Sequence, residues 1–452
     1  MNDTIAVIST TLGVGAISIV RVTGSDAIKI VNKVFKGKDL TKVDSHTINY
    51  GYIINNEEII DEVLVSIMRA PKTFTKEDVV EINCHGGIAT TNKILEILLN
   101  NGCRLAEPGE FTKRAFLNCR IDLTQAESVM DLIESKNEEK RKLAIKGLKG
   151  NVSNMIKNLR QEILEELLAP IEVNIDYPEY EDIEVMTNQK ILPNVIKIKK
   201  ELARIIRESE NGKIINNGIK TIIIGKPNVG KSSILNKLLD EDKAIVTDIE
   251  GTTRDTVEGN ITINGVSLNL IDTAGIRDAK DIVEKIGVEK SISLIKEADL
   301  VIIVLNNNEE LTEEDKKILA YAKDKQVIVV INKNDLAKKI NEKEIEYTNI
   351  IYTNTKDTNG IDSLKEKIIE LFNLEKLTQN DNSFLTNVRQ ISLAKEAYQI
   401  LEEVEKGIEY NIPVDMIEID IKRSWEKLGE IIGETYTEEL IDQLFSQFCL
   451  GK

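Results

Sequence analysis

The sequence predicts a multidomain fold that combines α/β and all-α parts, with a parallel-sheet unit inserted between two stretches of long helices. The hydrophobic pattern supports this, because it changes character near Asp122, at Ile219 and again after Leu374. A length of 452 residues allows about two to four domains. With 41% apolar and 30% charged residues the composition is ordinarily globular, which excludes a collagen-like or disordered chain.

The first part of the chain, residues 1–118, mixes short β-rich runs with helical stretches. The predicted strands are Thr4–Ile8, Ala16–Val22, Asp61–Met68 and Val79–Asn83, and the predicted helices are Asp26–Phe35 and Ala89–Asn100. We therefore expect a compact mixed α/β domain here.

Residues 119–212 are predicted to form long amphipathic helices, the first part of a helical domain. Apolar residues recur there at helical spacing with charged residues between them. They are Val152, Met155, Leu159, Ile163 and Leu167, then Val195, Ile198, Leu202 and Ile205.

Residues 213–376 alternate apolar runs with helices, a pattern typical of a parallel sheet with crossover helices. The predicted strands are Ile219–Ile224, Ser267–Ile271, Val301–Leu305 and Val327–Ile331. Residues 377–452 return to helical periodicity, so we expect them to form the second part of the helical domain. One face there carries Ile417, Ile421, Trp425, Leu428 and Ile432.

The formal net charge of −17 argues against a protein drawn to nucleic acid by its overall field. Any contact with RNA must then be local or made through a partner. Four cysteines without CxxC spacing and only two histidines do not favour a zinc cluster. Because the start lacks signal and transit features and no apolar run approaches the roughly 18–20 residues of a membrane helix, we expect a cytoplasmic protein.

A phosphate-binding loop is predicted at Gly225-Lys226-Pro227-Asn228-Val229-Gly230-Lys231-Ser232. It fits G-x-x-x-x-G-K-[ST] between a strand and the helical stretch Ser233–Leu239, the context that the motif requires. A chance glycine-rich turn is disfavoured because these flanking elements agree. Backbone N–H groups would cradle phosphates, Lys231 would reach the β- and γ-phosphates, and the Ser232 hydroxyl would bind Mg²⁺.

Three further motifs follow in the order expected of a GTP-binding protein. Asp272-Thr273-Ala274-Gly275 follows an apolar strand and would face Mg²⁺ and the γ-phosphate. Asn332-Lys333-Asn334-Asp335 ends a later strand, where a carboxylate can accept both N–H groups of guanine. Gly251-Thr252-Thr253-Arg254-Asp255 supplies a threonine that would close over Mg²⁺. The four motifs together predict GTP and Mg²⁺ binding.

Ile276 stands where small GTPases of the Ras type carry a water-orienting glutamine. An aliphatic side chain cannot orient water, so hydrolysis needs another group and another positive charge. Asp278, Asp281 and Glu284 are candidates, and their spacing does not choose between them.

The two ends of the chain carry motifs that resemble the MnmE (TrmE) tRNA-modification GTPase family over essentially the full length. These motifs are Asp3-Thr4-Ile5-Ala6, Arg21-Val22-Thr23-Gly24, Glu81-Ile82-Asn83-Cys84-His85-Gly86-Gly87, Pro108-Gly109-Glu110-Phe111-Thr112, Asp122-Leu123-Thr124-Gln125-Ala126-Glu127 and the tail Phe448-Cys449-Leu450-Gly451-Lys452. The resemblance implies a GTPase that works with the flavin-containing partner MnmG (GidA). Together they place an aminomethyl or carboxymethylaminomethyl group on carbon 5 of the wobble uridine of tRNA.

The resemblance also implies a folate pocket in the N-terminal domain, for 5-formyl-tetrahydrofolate or a related folate. The matching residues are Arg21, Glu81, Arg120 and Lys452. Cations can meet the folate glutamate tail, and Glu81 can accept from the pterin N–H edge. Without the resemblance, the residue types alone favour the interpretation of Arg21 and Glu81 as ordinary surface residues. Cys449 is either a reactive thiol or a small core residue.

Potassium-dependent hydrolysis by a homodimer is a further implication of the resemblance. Asn228, with backbone oxygens of Thr247, Ile249 and Thr252, matches the potassium ligands, and Ser232 and Thr253 match those of Mg²⁺. Glu284 matches the catalytic acid and acts with Lys231, Thr253 and Arg254. The expected cofactor contacts are Asn228, Val229, Gly230, Lys231, Ser232, Ser233, Thr247, Asp248, Ile249, Glu250, Gly251, Thr252, Thr253, Asp272, Thr273, Ala274, Gly275, Asn332, Lys333 and Asp335. The Ser-Ala-Lys-like motif of the family reads Asn354-Thr355-Lys356 here.

Two other functions fit parts of the sequence. One is a ribosome-assembly or regulatory GTPase switch without RNA chemistry of its own, and the other is a folate-dependent aminomethyl transferase acting on a small substrate. The acidic net charge disfavours the first, since the basic cluster at Lys140, Arg141 and Lys142 is diluted by Glu138 and Glu139. In the favoured reading, tRNA is bound mainly through MnmG, in a heterotetramer or larger complex.

Overall fold

The structure, a computed structural model, describes residues 3–135, 137–177, 186–241, 257–271, 295–357, 360–374 and 384–451. The chain forms two compact units, and their segments alternate along the sequence. The first comprises Met1–Ile133, Ile145–Lys200 and Ser392–Lys452, and the second comprises Glu134–Ala144 and Glu201–Ile391. An α/β unit is therefore inserted into the part that carries the long helices, as the hydrophobic pattern predicts.

A seven-stranded sheet with the order β3-β4-β5-β6-β2-β1-β7 occupies the N-terminal part of the first unit. Its strands are β1 (Ile5–Ile8), β2 (Gly15–Thr23), β3 (Phe35–Gly37), β4 (Thr47–Asn55), β5 (Glu58–Met68), β6 (Val79–Gly86) and β7 (Arg104–Leu105). The four predicted strands are confirmed, while the short strands β3 and β7 and the nine-residue strand β4 are missing from the prediction. The inward-facing positions of β4 include Asn49 and Gly51, so polar and small residues conceal the alternation of a half-buried strand.

Three helices accompany this sheet: α1 (Ala27–Val34), α2 (Ile88–Asn100) and α3 (Glu110–Leu117). The two predicted helices agree with α1 and α2 to within one residue at each end. Ile30, Ile94 and Leu98 from these helices share one apolar core with Val20 and Val65 of the sheet. Burial of this apolar surface holds the helices against one face of the sheet.

A buried charge network surrounds Arg114 of α3, whose side chain is 1% exposed. Its guanidinium donates to Asp3 Oδ1 at 2.8 Å, Glu110 Oε1 at 2.9 Å and Glu77 Oε1 at 3.2 Å. Burial alone would raise the pKa of Glu110, but hydrogen bonds from Arg104, from the backbone N–H of Glu107 and from Arg114 lower it below its ordinary value. Glu110 is therefore ionised and compensates the buried guanidinium.

The helical part of the chain contains α4 to α8 before the inserted unit and α12 to α14 after it. These helices are α4 (Leu123–Ile133), α5 (Glu138–Leu148), α6 (Asn151–Ile163), α7 (Ala169–Asp176), α8 (Asn188–Asn217), α12 (Val388–Glu409), α13 (Val414–Ile432) and α14 (Glu438–Ser446), with a π-helical turn at Leu164–Leu168. Most of the predicted periodic residues are buried, while Met155 and Trp425 are half-buried. Arg160 of α6 lies 3.8 Å from the ring centroid of Trp425 of α13, and each donates to the other's backbone oxygen at 3.1 Å.

The second unit is built on a six-stranded sheet with the order β13-β12-β11-β8-β10-β9. Its strands are β8 (Ile219–Ile224), β9 (Val257–Ile263), β10 (Val266–Ile271), β11 (Leu300–Asn306), β12 (Gln326–Asn332) and β13 (Ile350–Tyr352). All pairs are parallel except that of β9 with β10, so the predicted parallel sheet has one antiparallel edge strand. Every residue of β11 is buried, as expected for the interior of a sheet covered on both faces.

Three helices of the second unit flank this sheet or follow its strands: α9 (Lys231–Glu241), α10 (Glu313–Tyr321) and α11 (Asp362–Leu371). Leu235 of α9 and Leu364 of α11 share a core cluster with Ile302 and Val330 of the sheet. Among the described residues, no helix has the length and apolar character needed to cross a membrane.

Replacing Glu110 with alanine should lower the free energy of unfolding by roughly 3 kcal/mol, because it leaves a buried guanidinium short of a partner. Urea unfolding followed by circular dichroism measures the change. The matched control is Glu96→Ala, which breaks an exposed pair with Lys93 and should cost less than about 1 kcal/mol. Equal shifts for the two variants would contradict a stabilising role for the buried network.

Candidate functional site

The predicted phosphate loop lies between the end of β8 and the start of α9. Gly225 has φ +150°, and a Cβ there would lie 2.3 Å from the Val304 carbonyl oxygen. Gly230 has φ +106°, and a Cβ there would lie 2.1 Å from Asn332 Nδ2. Both positions therefore require glycine, since the loop backbone passes directly against β11 and β12.

Lys231, at the start of α9, turns back over this loop. Its ammonium donates to the carbonyl oxygens of Gly225 and Lys226, both at 2.7 Å. Burial lowers the pKa of Lys231 below its usual range, although Glu314 opposes the shift. Approach of phosphate oxygens would favour the charged form, so the site is suited to an anion.

Asn332, the last residue of β12, is 1% exposed and joins this loop to the predicted base-binding loop. Its Nδ2 donates to the Val229 carbonyl oxygen at 2.9 Å, and its Oδ1 accepts from the Thr353 hydroxyl at 3.2 Å. Thr353 is absent from the sequence-based prediction, because nothing in the spacing of its neighbours links it to Asn332. The loops that would bind phosphate and guanine are thus fixed to each other.

Asp335, the predicted guanine acceptor, forms an ion pair with Lys356 Nζ at 2.8 Å. The hydrogen bond from Lys356 holds the pKa of Asp335 below its ordinary value, so the carboxylate keeps the acceptor form that guanine N–H groups need. Asn354 instead donates to Asp357 at 2.7 Å. The Asn354-Thr355-Lys356 sequence therefore presents a lysine, and not the asparagine, to Asp335.

Other predicted nucleotide contacts lie along the same loop and helix. Asn228 is exposed with φ +62°, Ser232 and Ser233 are exposed in the first turn of α9, and Val229 is buried. Lys333 has φ +60° in the base-binding loop. The predicted residues Thr247, Asp248, Ile249, Glu250, Gly251, Thr252, Thr253, Arg254, Asp272, Thr273, Ala274, Gly275, Glu284 and Lys452 lie outside the described residues.

The described residues predicted to bind folate lie in the first unit. Arg21 Nε donates to Glu81 Oε1 at 2.8 Å, across the paired strands β2 and β6. Arg21 Nη1 also donates to the carbonyl oxygen of Gly451, 3.1 Å away in the C-terminal tail. The side chains of Arg21 and Glu81 are about one-fifth to one-quarter exposed, so most of the surface of each is buried.

Arg120 is exposed and lies 4.9 Å from the ring centroid of Phe74, while Arg21 lies 5.8 Å from that of Phe111. Phe74 packs against the small core cluster that contains Phe111, so the two guanidinium groups face rings of one cluster. Neither ring was predicted to belong to the site. Cys449 is exposed, so the interpretation of it as a core residue is wrong.

Comparison with known proteins bears on the whole chain. Family models described as "GTP-binding protein TrmE N-terminus" and "MnmE helical domain" match residues 4–120 and 123–449. The protein of Ligilactobacillus salivarius named tRNA modification GTPase MnmE is 55% identical, over 100% of this chain and 98% of its own length. Its namesake from Bacillus licheniformis is 52% identical over 100% of both chains. The chain belongs to the MnmE family.

Membership of the MnmE family confirms the resemblance of the chain ends and the fold class predicted from the sequence. Family membership, together with the phosphate and base loops, identifies this protein as a GTP hydrolase. Among solved structures, the G domain of the T. maritima FeoB iron transporter is 31% identical and covers 34% of this chain and 98% of that chain. The TM-score of this match is 0.25.

Replacing Asp335 with asparagine should change the base specificity of the site from guanine to xanthine. Asparagine offers one acceptor and one donor, which match the N–H and carbonyl of xanthine, whereas guanine presents two donors. We expect GTP affinity to fall by about 100-fold and XTP affinity to rise, measured by competition with a labelled nucleotide. Lys356→Ala is the control and should keep the preference for GTP. Unchanged specificity in Asp335→Asn would remove Asp335 from base recognition.

Proposed function

We propose that this MnmE family member hydrolyses GTP in a potassium-dependent manner and acts with the flavin-containing MnmG (GidA) on tRNA. The product is an aminomethyl or carboxymethylaminomethyl group at carbon 5 of the wobble uridine. At the coarser level of its family, the chain is a GTPase acting in tRNA modification. The observation that carries the nucleotide part is the hydrogen bond from Asn332 to the Val229 carbonyl, which joins the loops predicted to bind phosphate and guanine.

The nucleotide site suits GTP with Mg²⁺ and K⁺. We propose that Lys231 holds the β- and γ-phosphates, that the Ser232 hydroxyl binds Mg²⁺ and that Asn228 binds K⁺. The exposure of Ser232 and Asn228 supports these roles. A monovalent cation beside the phosphates supplies positive charge for the leaving group. Mg²⁺ binding would also use Thr253, and the potassium loop would use Thr247, Ile249 and Thr252. We propose Glu284 as the acid that positions water, with Lys231, Thr253 and Arg254 as its catalytic partners.

The N-terminal residues suit 5-formyl-tetrahydrofolate or a related folate, which supplies the one-carbon unit. Arg21 and Glu81 combine a cation with an acceptor, and Arg120 adds a second cation. The buried Ser9 hydroxyl has no hydrogen-bond partner among the described residues, and it lies against Gly451. Gly451 also accepts a hydrogen bond from Arg21, so this unpartnered group supports a polar ligand near Gly451. Lys452, the residue after Gly451, would complete the set.

A homodimer is supported by the face of the N-terminal sheet that α1 and α2 leave uncovered. Ile48, Tyr50 and Leu64 are between 47% and 69% exposed on this face, and Tyr50 is paired with Leu64 across β4 and β5. Exposed apolar faces of this kind are typical of association surfaces. The net charge of −17 supports the proposal that tRNA binds mainly through MnmG, in a heterotetramer or larger complex.

We assign the proposed activities to domains as follows. Residues 1–118 form the folate-binding and dimerisation domain, residues 119–212 and 377–452 form the helical domain, and residues 213–376 form the GTPase domain. When GTP binds, the two GTPase domains of the dimer would move together. The helical domains would transmit this movement to the folate site. We propose localisation in the cytoplasm.

Hydrolysis of GTP should be at least about tenfold faster in KCl than in NaCl at equal ionic strength, because the cation replaces an arginine finger. Asn228→Lys should abolish this difference, and Glu284→Ala should slow turnover by about 100-fold. The matched control is Asn264→Lys, since Asn264 is exposed with φ +48° in a turn away from the site. Hydrolysis indifferent to the cation would exclude the potassium assignment and favour a switch without chemistry on RNA.

Replacing Arg21 with alanine should weaken binding of 5-formyl-tetrahydrofolate by at least about tenfold, since a charged hydrogen bond is lost. Isothermal titration calorimetry measures the affinity. Lys29→Ala, which removes an exposed cation of α1, is the control and should bind normally. Circular dichroism and the thermal unfolding midpoint of both variants report whether the chain is folded. Wild-type folate affinity in Arg21→Ala would exclude the proposed pocket.

A further inference from the structure

The side chain of Lys226, the second residue of the phosphate loop, is turned into the protein. It is only 14% exposed, and its Nζ lies 2.8 Å from Asp315 Oδ2 and 3.7 Å from a carboxylate oxygen of Glu309. The Asp315 side chain is 3% exposed. Because a buried carboxylate needs compensation, this pair ties the phosphate loop firmly to the start of α10.

Asp315 is also the third residue of α10 and forms its capping box. Its Oδ2 accepts from the Thr312 backbone N–H at 2.9 Å and from the Thr312 hydroxyl at 2.8 Å. The same oxygen therefore serves the cap and Lys226, while Oδ1 has no hydrogen-bond partner among the described residues. The T-x-x-D spacing of the cap is visible in the sequence, but its contact with the phosphate loop is not.

The contact matters for the nucleotide because the backbone of Lys226 holds Lys231. The Lys226 carbonyl oxygen accepts from Lys231 Nζ at 2.7 Å, while the Lys226 side chain is held by Asp315. Farther along the loop, the Val229 carbonyl is held by Asn332. The loop is thus held at two points, one at each side of Asn228.

We propose that Asp315 is a positioning residue for the GTP site. Through its ion pair with Lys226 it orients the carbonyl that holds Lys231, and so places the ammonium for the phosphates. The proposal rests on the GTP-binding part of the proposed function, and it is independent of potassium and folate.

The test is the affinity of the full chain for GDP in the presence of MgCl₂. Asp315→Asn keeps the shape and the hydrogen-bond acceptor of the cap but removes the charge, and we expect GDP binding to weaken by about tenfold. Thr312→Ala is the matched control. It removes the cap hydroxyl and leaves the ion pair, so it should lower the thermal unfolding midpoint while GDP affinity stays within about twofold of wild type.

Lys226→Met removes the other member of the ion pair. It serves as the test variant if Asp315→Asn does not fold. It should weaken GDP binding to a similar extent, Lys226→Arg should restore most of the affinity, and the double variant with Asp315→Asn should be no weaker than the single variants. Near-normal GDP affinity in Lys226→Met, or additive losses in the double variant, would overturn the proposal. Wild-type protein that fails to bind GDP in this assay would instead exclude the nucleotide site itself.

Discussion

The hydrogen bond from Asn332 to the Val229 carbonyl is the contact on which the nucleotide site depends. The loops that it joins follow β8 and β12, two strands that are not neighbours but are separated by β11. Because all three strands are parallel, their carboxyl ends reach one edge of the sheet, where open α/β sheets bind ligands. Gly230 allows the close approach, and Thr353 occupies the remaining acceptor of the buried amide.

Local periodicity was sufficient for the interior of the six-stranded sheet but not for its edges, and in the seven-stranded sheet it missed the interior strand β4 as well as both edges. The prediction for Ile219–Ile224 coincides with β8, because the run of buried β-branched residues from Thr221 to Ile224 has few other interpretations. The edge strand β9 was not predicted, and its alternate residues Ile261 and Ile263 are buried between exposed positions. Strands of that kind depend on their partner for stability, so their hydrophobic signal is weaker.

The residues of the candidate site also fall into two groups, those that the sequence predicts and those that it does not. Residues contiguous in a motif, such as Lys231 or Asp335, can be found from spacing, because the chemistry constrains neighbours along the chain. Partners contributed by distant segments of the chain cannot be found from spacing. Thr353 reaches Asn332 only because β13 pairs with β12, and Gly451 reaches Arg21 only because the tail folds back. Such contacts depend on tertiary packing, which periodicity does not encode.

Arg114 and Arg21, two arginines of the N-terminal part, show how burial decides whether a charged side chain can exchange its partners. Arg114 is 1% exposed and is surrounded by three carboxylates, so further binding there would displace an existing partner. Arg21 is 20% exposed and faces one carboxylate and one carbonyl among the described residues. A guanidinium of that kind can exchange its contacts for those of an anionic ligand without leaving a buried charge unpaired. The same side-chain chemistry therefore stabilises the fold at Arg114 and remains available for binding at Arg21.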